Sequence, residues 1–196
     1  MMKKDIKLAV FDQDGVLVRG DALDDMAEAV GQGEASRALT KKLQAGQISL
    51  REVLNKKKDL FENLPTRLVT KALTAIKYDP AVKTVISELS RRGIKTMVVT
   101  GSWTITAYFT QRRFKIDYLA SSDEHTTLEG EKKVAAINQV AAELKIGREN
   151  ILALGNTRAD LAMLRNAGTG LCLRPVGGLE KEFTEIKKLS DLLSFI

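Results

Sequence analysis

The sequence predicts an α/β fold, a parallel sheet flanked by helices, with a small all-helical segment inserted after the first strand. Three observations carry this. Short apolar runs recur along the chain, helix-period segments lie between most of them, and residues 18–78 break the alternation with helical patterns alone. Strands that alternate with helices favour crossover connections and a parallel sheet.

The first run, Leu8–Phe11, is short and apolar and reads as a buried strand. Asp12-Gln13-Asp14-Gly15 follows it directly. Two carboxylates so close repel one another and are costly to bury, so the pattern suggests a cation between them. In the insertion, Ser49-Leu50-Arg51-Glu52 is a capping-box pattern that opens a helix carrying Val53, Leu54, Leu60 and Phe61. Pro65-Thr66 opens another, with Leu68, Val69, Leu73 and Ile76. Val82, Val85, Ile86 and Leu89 then form a helical stripe, with Pro80 before it and Gly93 after it. Thr96–Val99 and Tyr118–Ala120 read as strands. Val134, Ile137, Val140, Ala141 and Leu144 make a second stripe, closed by Gly147. Ile151–Leu154 is the next strand, Leu161, Met163 and Leu164 belong to a third helix, and Gly170–Leu173 is a further strand. The expected partition is a core of residues 1–17 and 79–196 and a helical cap of residues 18–78.

Composition narrows the function. The chain has 196 residues, 44% of them apolar, with no apolar run long enough for a membrane helix. Its opening, MMKKDIKLAVF, runs straight into the charged DQD and does not read as a signal peptide. Cys172 is the only cysteine, in an apolar setting that reads as a buried strand thiol, and a reducing cytoplasm is expected. His125, the only histidine, lies in a polar loop, so chemistry that needs two histidines is excluded. The net charge is +6, but the basic residues (Lys41, Lys42, Lys56, Lys57, Lys58, Lys187, Lys188) are scattered over segments read as solvated helix faces. Only 5% of residues are aromatic, and none interleave with basic runs. Neither nucleic acid nor a membrane is expected as a partner; a small anionic metabolite is. The sequence is silent on whether the chain is a monomer or a homodimer.

In open parallel sheets, ligands bind beyond the carboxyl ends of the strands. Three polar elements follow apolar strands here: Asp12-Gln13-Asp14-Gly15, Thr100-Gly101-Ser102, and Gly155-Asn156-Thr157-Arg158-Ala159-Asp160. Lys133, at a helix start, adds a cation. This collection suits phosphoryl transfer. A carboxylate can attack phosphorus, with Mg²⁺ relieving the repulsion between them. A hydroxyl and backbone N–H groups at Thr100-Gly101 can hold phosphate oxygens. A lysine neutralises the developing charge, and a second carboxylate moves the protons.

These motifs resemble those of the haloacid dehalogenase superfamily, and within it the phosphoserine phosphatase branch. Asp12 to Leu17 is similar to that family's Asp-x-Asp-Gly-x-[Leu/Val] motif, and Val98-Val99-Thr100-Gly101 to its second. Lys133, or failing it Lys132, matches the third-motif lysine, and Gly155 to Asp160 the fourth motif. The resemblance implies a Rossmann-like core with a helical cap, Asp12 as nucleophile and Asp14 as general acid/base. It also implies phosphate held by Thr100, Gly101 and Lys133, and Mg²⁺ at Asp12, Asp14, Asn156 and Asp160. The sequence departs from the family at several points. Asn156 stands where the family carries an aspartate, Ala159 where an asparagine is common, and Arg158 adds a charge. Asp21 and Lys57 occupy the places of the glutamate and arginine that bind the amino acid in phosphoserine phosphatases, and Trp103 replaces a small residue near the phosphate. Lys cannot reproduce Arg's bidentate pair with a carboxylate. The alternative is a catalytically impaired relative that binds a phosphorylated ligand or a protein.

Overall fold

The structure is a computed structural model that describes residues 5–196. Met1–Lys4, where the chain's opening and the absence of a signal peptide were read, lie outside the described residues.

Among the described residues the sheet has six strands, all parallel, in the order β3-β2-β1-β4-β5-β6. They are β1 (Leu8–Phe11), β2 (Lys95–Trp103), β3 (Tyr118–Ser122), β4 (Ile151–Gly155), β5 (Thr169–Leu173) and β6 (Thr184–Ile186). All four residues of β1 are buried, as a central parallel strand requires. Its pleat sends Ala9 and Phe11 to one layer and Leu8 and Val10 to the other. Ala9 and Phe11 share a cluster with Val85 and Leu89 of α5 (Val82–Arg91). Leu8 and Val10 share one with Ile137 of α7 (Glu131–Leu144) and Met163 of α8 (Leu161–Asn166). The chain builds β1, β2 and β3 outward on one side and then crosses to β4 on the other. The strand order therefore reverses at β1 and β4, and ligand crevices form at such a point.

Four helices fill the stretch after β1: α1 (Ala22–Ala29), α2 (Gly33–Gln44), α3 (Leu50–Asp59) and α4 (Thr66–Thr74). Ser49 caps α3, its hydroxyl accepting the Glu52 N–H at 3.2 Å. These helices bury a cluster of their own, with Leu23, Met26, Leu54, Leu73 and Ile76. The chain passes to and from them on adjacent crossings. Val18 bridges Asp14 and Tyr78, and Asp79 N–H donates to the Leu17 carbonyl at 2.8 Å. The core resumes with α5, which ends at Gly93 with φ +72°, a left-handed conformation that suits glycine at a helix end.

Three expectations need correction. Thr100-Gly101-Ser102 does not follow its strand but lies inside β2, which continues to Trp103 through a register shift against β3. Lys187 and Lys188 lie outside any α-helix, between β6 and a closing 3-10 stretch. Lys57 is not solvated, being only 1% exposed. Cys172 is buried in β5, and α6 (Thr104–Phe114) links β2 to β3.

Candidate active site

Asp12 is the first residue past β1, and its N–H extends the ladder to the Leu154 carbonyl at 2.9 Å. The pleat places its side chain on the Val10 side, toward α7. Lys133 lies in the first turn of α7 and is 2% exposed, whereas neighbouring Lys132 is exposed. The Lys133 ammonium donates to Asp12 Oδ1 and to Asp160 Oδ1, both at 2.8 Å. Asp160 closes a 3-10 turn after β4. Its Oδ2 accepts the N–H groups of Asn156 (3.0 Å) and Thr157 (3.1 Å). Gly155 permits this approach: a Cβ there would lie 2.8 Å from Asp160 Oδ2. With both its oxygens engaged, Asp160 orients the lysine and the β4 loop.

Two buried carboxylates thus share one ammonium. Burial, followed by the charge of Asp160, pushes the Asp12 carboxyl up to about 7 against the pull of Lys133. Burial lowers the Lys133 pKa, but Asp12 and Asp160 outweigh it and hold the ammonium above the ordinary lysine range. Asp14 Oδ1 accepts the N–H of Ala22, at the start of α1, at 2.8 Å. Burial, then Asp21 and Asp12, raise the Asp14 carboxyl well above the carboxylate range. A carboxyl raised in this way holds its proton more readily, as a general acid must.

Asn156 is buried, and its Oδ1 accepts no hydrogen bond among the described residues. The resemblance implies Mg²⁺, and this orphaned amide oxygen beside Gly15 is what a hard cation could use. Among the described residues no cluster of three His, Cys, Asp or Glu side chains could hold a metal. The donors that the resemblance implies, at Asp12, Asp14, Asn156 and Asp160, are mixed carboxylate, carbonyl and amide oxygens, the kind of ligand Mg²⁺ takes.

Thr100 is buried, and its hydroxyl accepts the Ser102 N–H at 3.0 Å. A Cβ on Gly101 would lie 3.0 Å from Cδ2 of Leu50, the first residue of α3, so this glycine lets the helix seat against β2. Trp103 Nε1 donates to the Leu54 carbonyl at 3.2 Å. Its ring lines a cavity of about 320 Å³ with Leu23, Met26, Phe61 and Val69. The Arg158 guanidinium donates to the Gly177 carbonyl at 3.4 Å. The Lys57 ammonium donates to both oxygens of Asp21 at 3.0 Å.

Sequence reasoning missed two residues here. Arg174 follows β5 and donates to the carbonyls of Gly15 (3.0 Å) and Val16 (3.1 Å) and to Asp79 (3.0 Å), bracing the loop behind Asp14. The strand-end rule that found the other elements also covers its position. Asp24 is the third member of the Lys57 cluster, with its Oδ1 2.9 Å from the ammonium. Its place in a helix's first turn reads in sequence as an ordinary dipole partner.

Residues 6–168 match the haloacid dehalogenase-like hydrolase family. The chain belongs to that family. Among curated proteins it is 28% identical to a phosphoserine phosphatase of Archaeoglobus fulgidus, over 84% of this chain and 52% of that one. It is 26% identical to a phosphoserine phosphatase of Methanocaldococcus jannaschii over the full length of both. A solved structure described as a phospho-aspartyl intermediate analogue of phosphoserine phosphatase superposes with a TM-score of 0.83. It is 24% identical and covers 98% of this haloacid dehalogenase-like chain and 100% of its own.

Proposed function

We propose that the chain is a Mg²⁺-dependent phosphatase that hydrolyses a small phosphomonoester through a phospho-aspartyl intermediate on Asp12. The observation that carries the reading is the Lys133 ammonium, held 2.8 Å from both Asp12 and Asp160 at the strand-order reversal. Family membership and the names of the relatives support it. Residues 18–78 act as the cap over this site, with Asp12, Asp14 and Lys133 as the catalytic groups.

An Asp12 oxygen attacks phosphorus while the bond to the ester oxygen breaks, and that oxygen takes a proton from Asp14. Water then attacks the same phosphorus, giving its proton to Asp14, and the bond to Asp12 breaks to release phosphate. Lys133 keeps Asp12 aimed and offsets negative charge as it develops. Thr100 and Gly101, with Lys133, hold phosphate oxygens. Asp12, Asp14, Asn156 and Asp160 would hold Mg²⁺, which would neutralise charge on the phosphate and the attacking carboxylate.

The buried free Cys172 supports a cytoplasmic setting, and no described helix is long and apolar enough to cross a membrane. The test is hydrolysis of an aryl phosphate, with and without Mg²⁺, by wild type and Asp12→Asn. The reading predicts Mg²⁺-dependent turnover that the substitution abolishes; equal rates for the two proteins overturn it.

A further inference from the structure

The cap places a closed ion cluster beside Asp14. Lys57 has three N–H donors, matched by three acceptors: Asp21 Oδ1 and Oδ2 at 3.0 Å and Asp24 Oδ1 at 2.9 Å. Asp24 is itself held from outside. The Ser36 hydroxyl donates to its Oδ1, and the Thr40 hydroxyl to its Oδ2 at 2.9 Å. The Lys57 side chain is 1% exposed, against 15% for Asp24 and 28% for Asp21. Asp21 is thus the member open to solvent. It immediately precedes Ala22, whose N–H donates to Asp14 Oδ1. Two carboxylates against one ammonium leave the cluster with one net negative charge.

This arrangement bears on the leaving group, and the inference rests on the phosphatase reading above. A lysine free at this place would attract a carboxylate on the substrate. Here that lysine has no donor left, and the cluster member open to solvent, next to the residue that caps Asp14, is an acidic oxygen. We propose that Asp24, by saturating Lys57, sets this site against leaving groups that carry a carboxylate and toward those that carry an ammonium alone. Asp24 is a specificity-determining residue on this account: it acts through Lys57 and Asp21 and touches no reacting atom. The preferred substrate class is the phosphomonoester of an amino alcohol. A neutral alcohol comes next, and an amino-acid phosphate last.

The experiment compares kcat/KM of the full chain with Mg²⁺ on nitrophenyl phosphate, phosphoethanolamine, glycerol phosphate and O-phosphoserine. Like charges brought together in a desolvated site are strongly disfavoured, so phosphoethanolamine is expected to exceed phosphoserine by at least about tenfold. In Asp24→Asn the carboxylate charge is gone, so the cluster loses its net negative charge and holds Lys57 less tightly, and the gap narrows through a rise for phosphoserine. Nitrophenyl phosphate turnover with wild-type preference for phosphoserine overturns this inference alone. Silence toward all four esters overturns the phosphatase reading and the inference together. If Asp24→Asn does not fold, as judged by circular dichroism, the wild-type ratio decides.

Discussion

Gly15 and Asn156 are in such close contact that a Cβ on Gly15 would collide with the Asn156 amide. Gly15 also has φ +80°, a conformation that L side chains rarely adopt. Backbone and contact therefore demand the same residue. Gly15→Ala is expected to cost roughly 1–2 kcal/mol from the left-handed conformation, plus the displacement of Asn156. Urea unfolding reads the stability, and a Mg²⁺ titration followed by thermal shift reads the displaced amide. Unchanged values in both would show that the loop relaxes freely.

Asn156→Asp tests the mixed donor set. Cation affinity follows the charge of its ligands, so Mg²⁺ is expected to bind about tenfold tighter in the variant. Wild-type turnover without the change would dispose of a binding-only role for the chain. Turnover that appears only in the variant would revive that role.

Lys133 has a structural duty as well as a chemical one. Lys133→Met leaves Asp12 and Asp160 buried with no counter-charge, at a cost of about 3–5 kcal/mol. Adding Asp160→Asn removes one of the orphaned charges and is expected to restore part of that stability. Activity is expected to stay roughly 100-fold or more below wild type, because the cation over the developing charge is gone. Recovery of both together would place Lys133 outside the chemistry.

Asp117 offers a pH test away from the site. Burial raises its pKa, but Lys95 and the Thr96 N–H and hydroxyl outweigh it, so the folded value falls below the ordinary 3.8. The Lys95 ammonium is 2.7 Å away and the Thr96 N–H 2.9 Å. A depressed carboxylate pKa contributes stability above the unfolded value, and this is lost as pH falls through the folded one. Wild type should therefore exceed Asp117→Asn in unfolding midpoint at neutral pH, and the two should converge in acid below the unfolded value. A gap that persists unchanged in acid contradicts the sign.

The sequence spoke most clearly where one force acted alone. Leu8–Phe11 had to be buried, and Val82, Val85, Ile86 and Leu89 could face only one way, so β1 and α5 lie where they were read. Lys133 is buried and Lys132 exposed, a difference between neighbours in one helical turn that the order of residues alone leaves open. α2 was illegible because it buries only Gly33 and Ser36, leaving no apolar stripe to see. β6 is three residues long and exists by pairing with β5, a tertiary contact with little local signal. The end of β2 was hidden because Thr100-Gly101-Ser102 looks like a turn, whereas pairing with β3 holds it extended. The sequence offers Lys57 as a candidate specificity position, but its ion pair with Asp24 joins side chains of α3 and α1, which spacing alone does not encode.

The central claim is that Asp12 carries the phosphoryl group. Acid-quenched enzyme, taken during turnover of an aryl phosphate with Mg²⁺ and mapped by peptide mass spectrometry, tests it most directly. One base-labile phosphoryl group on the peptide containing Asp12, absent from Asp12→Asn, is the predicted result. Steady turnover with that peptide unmodified, or the group found on another residue, would contradict it.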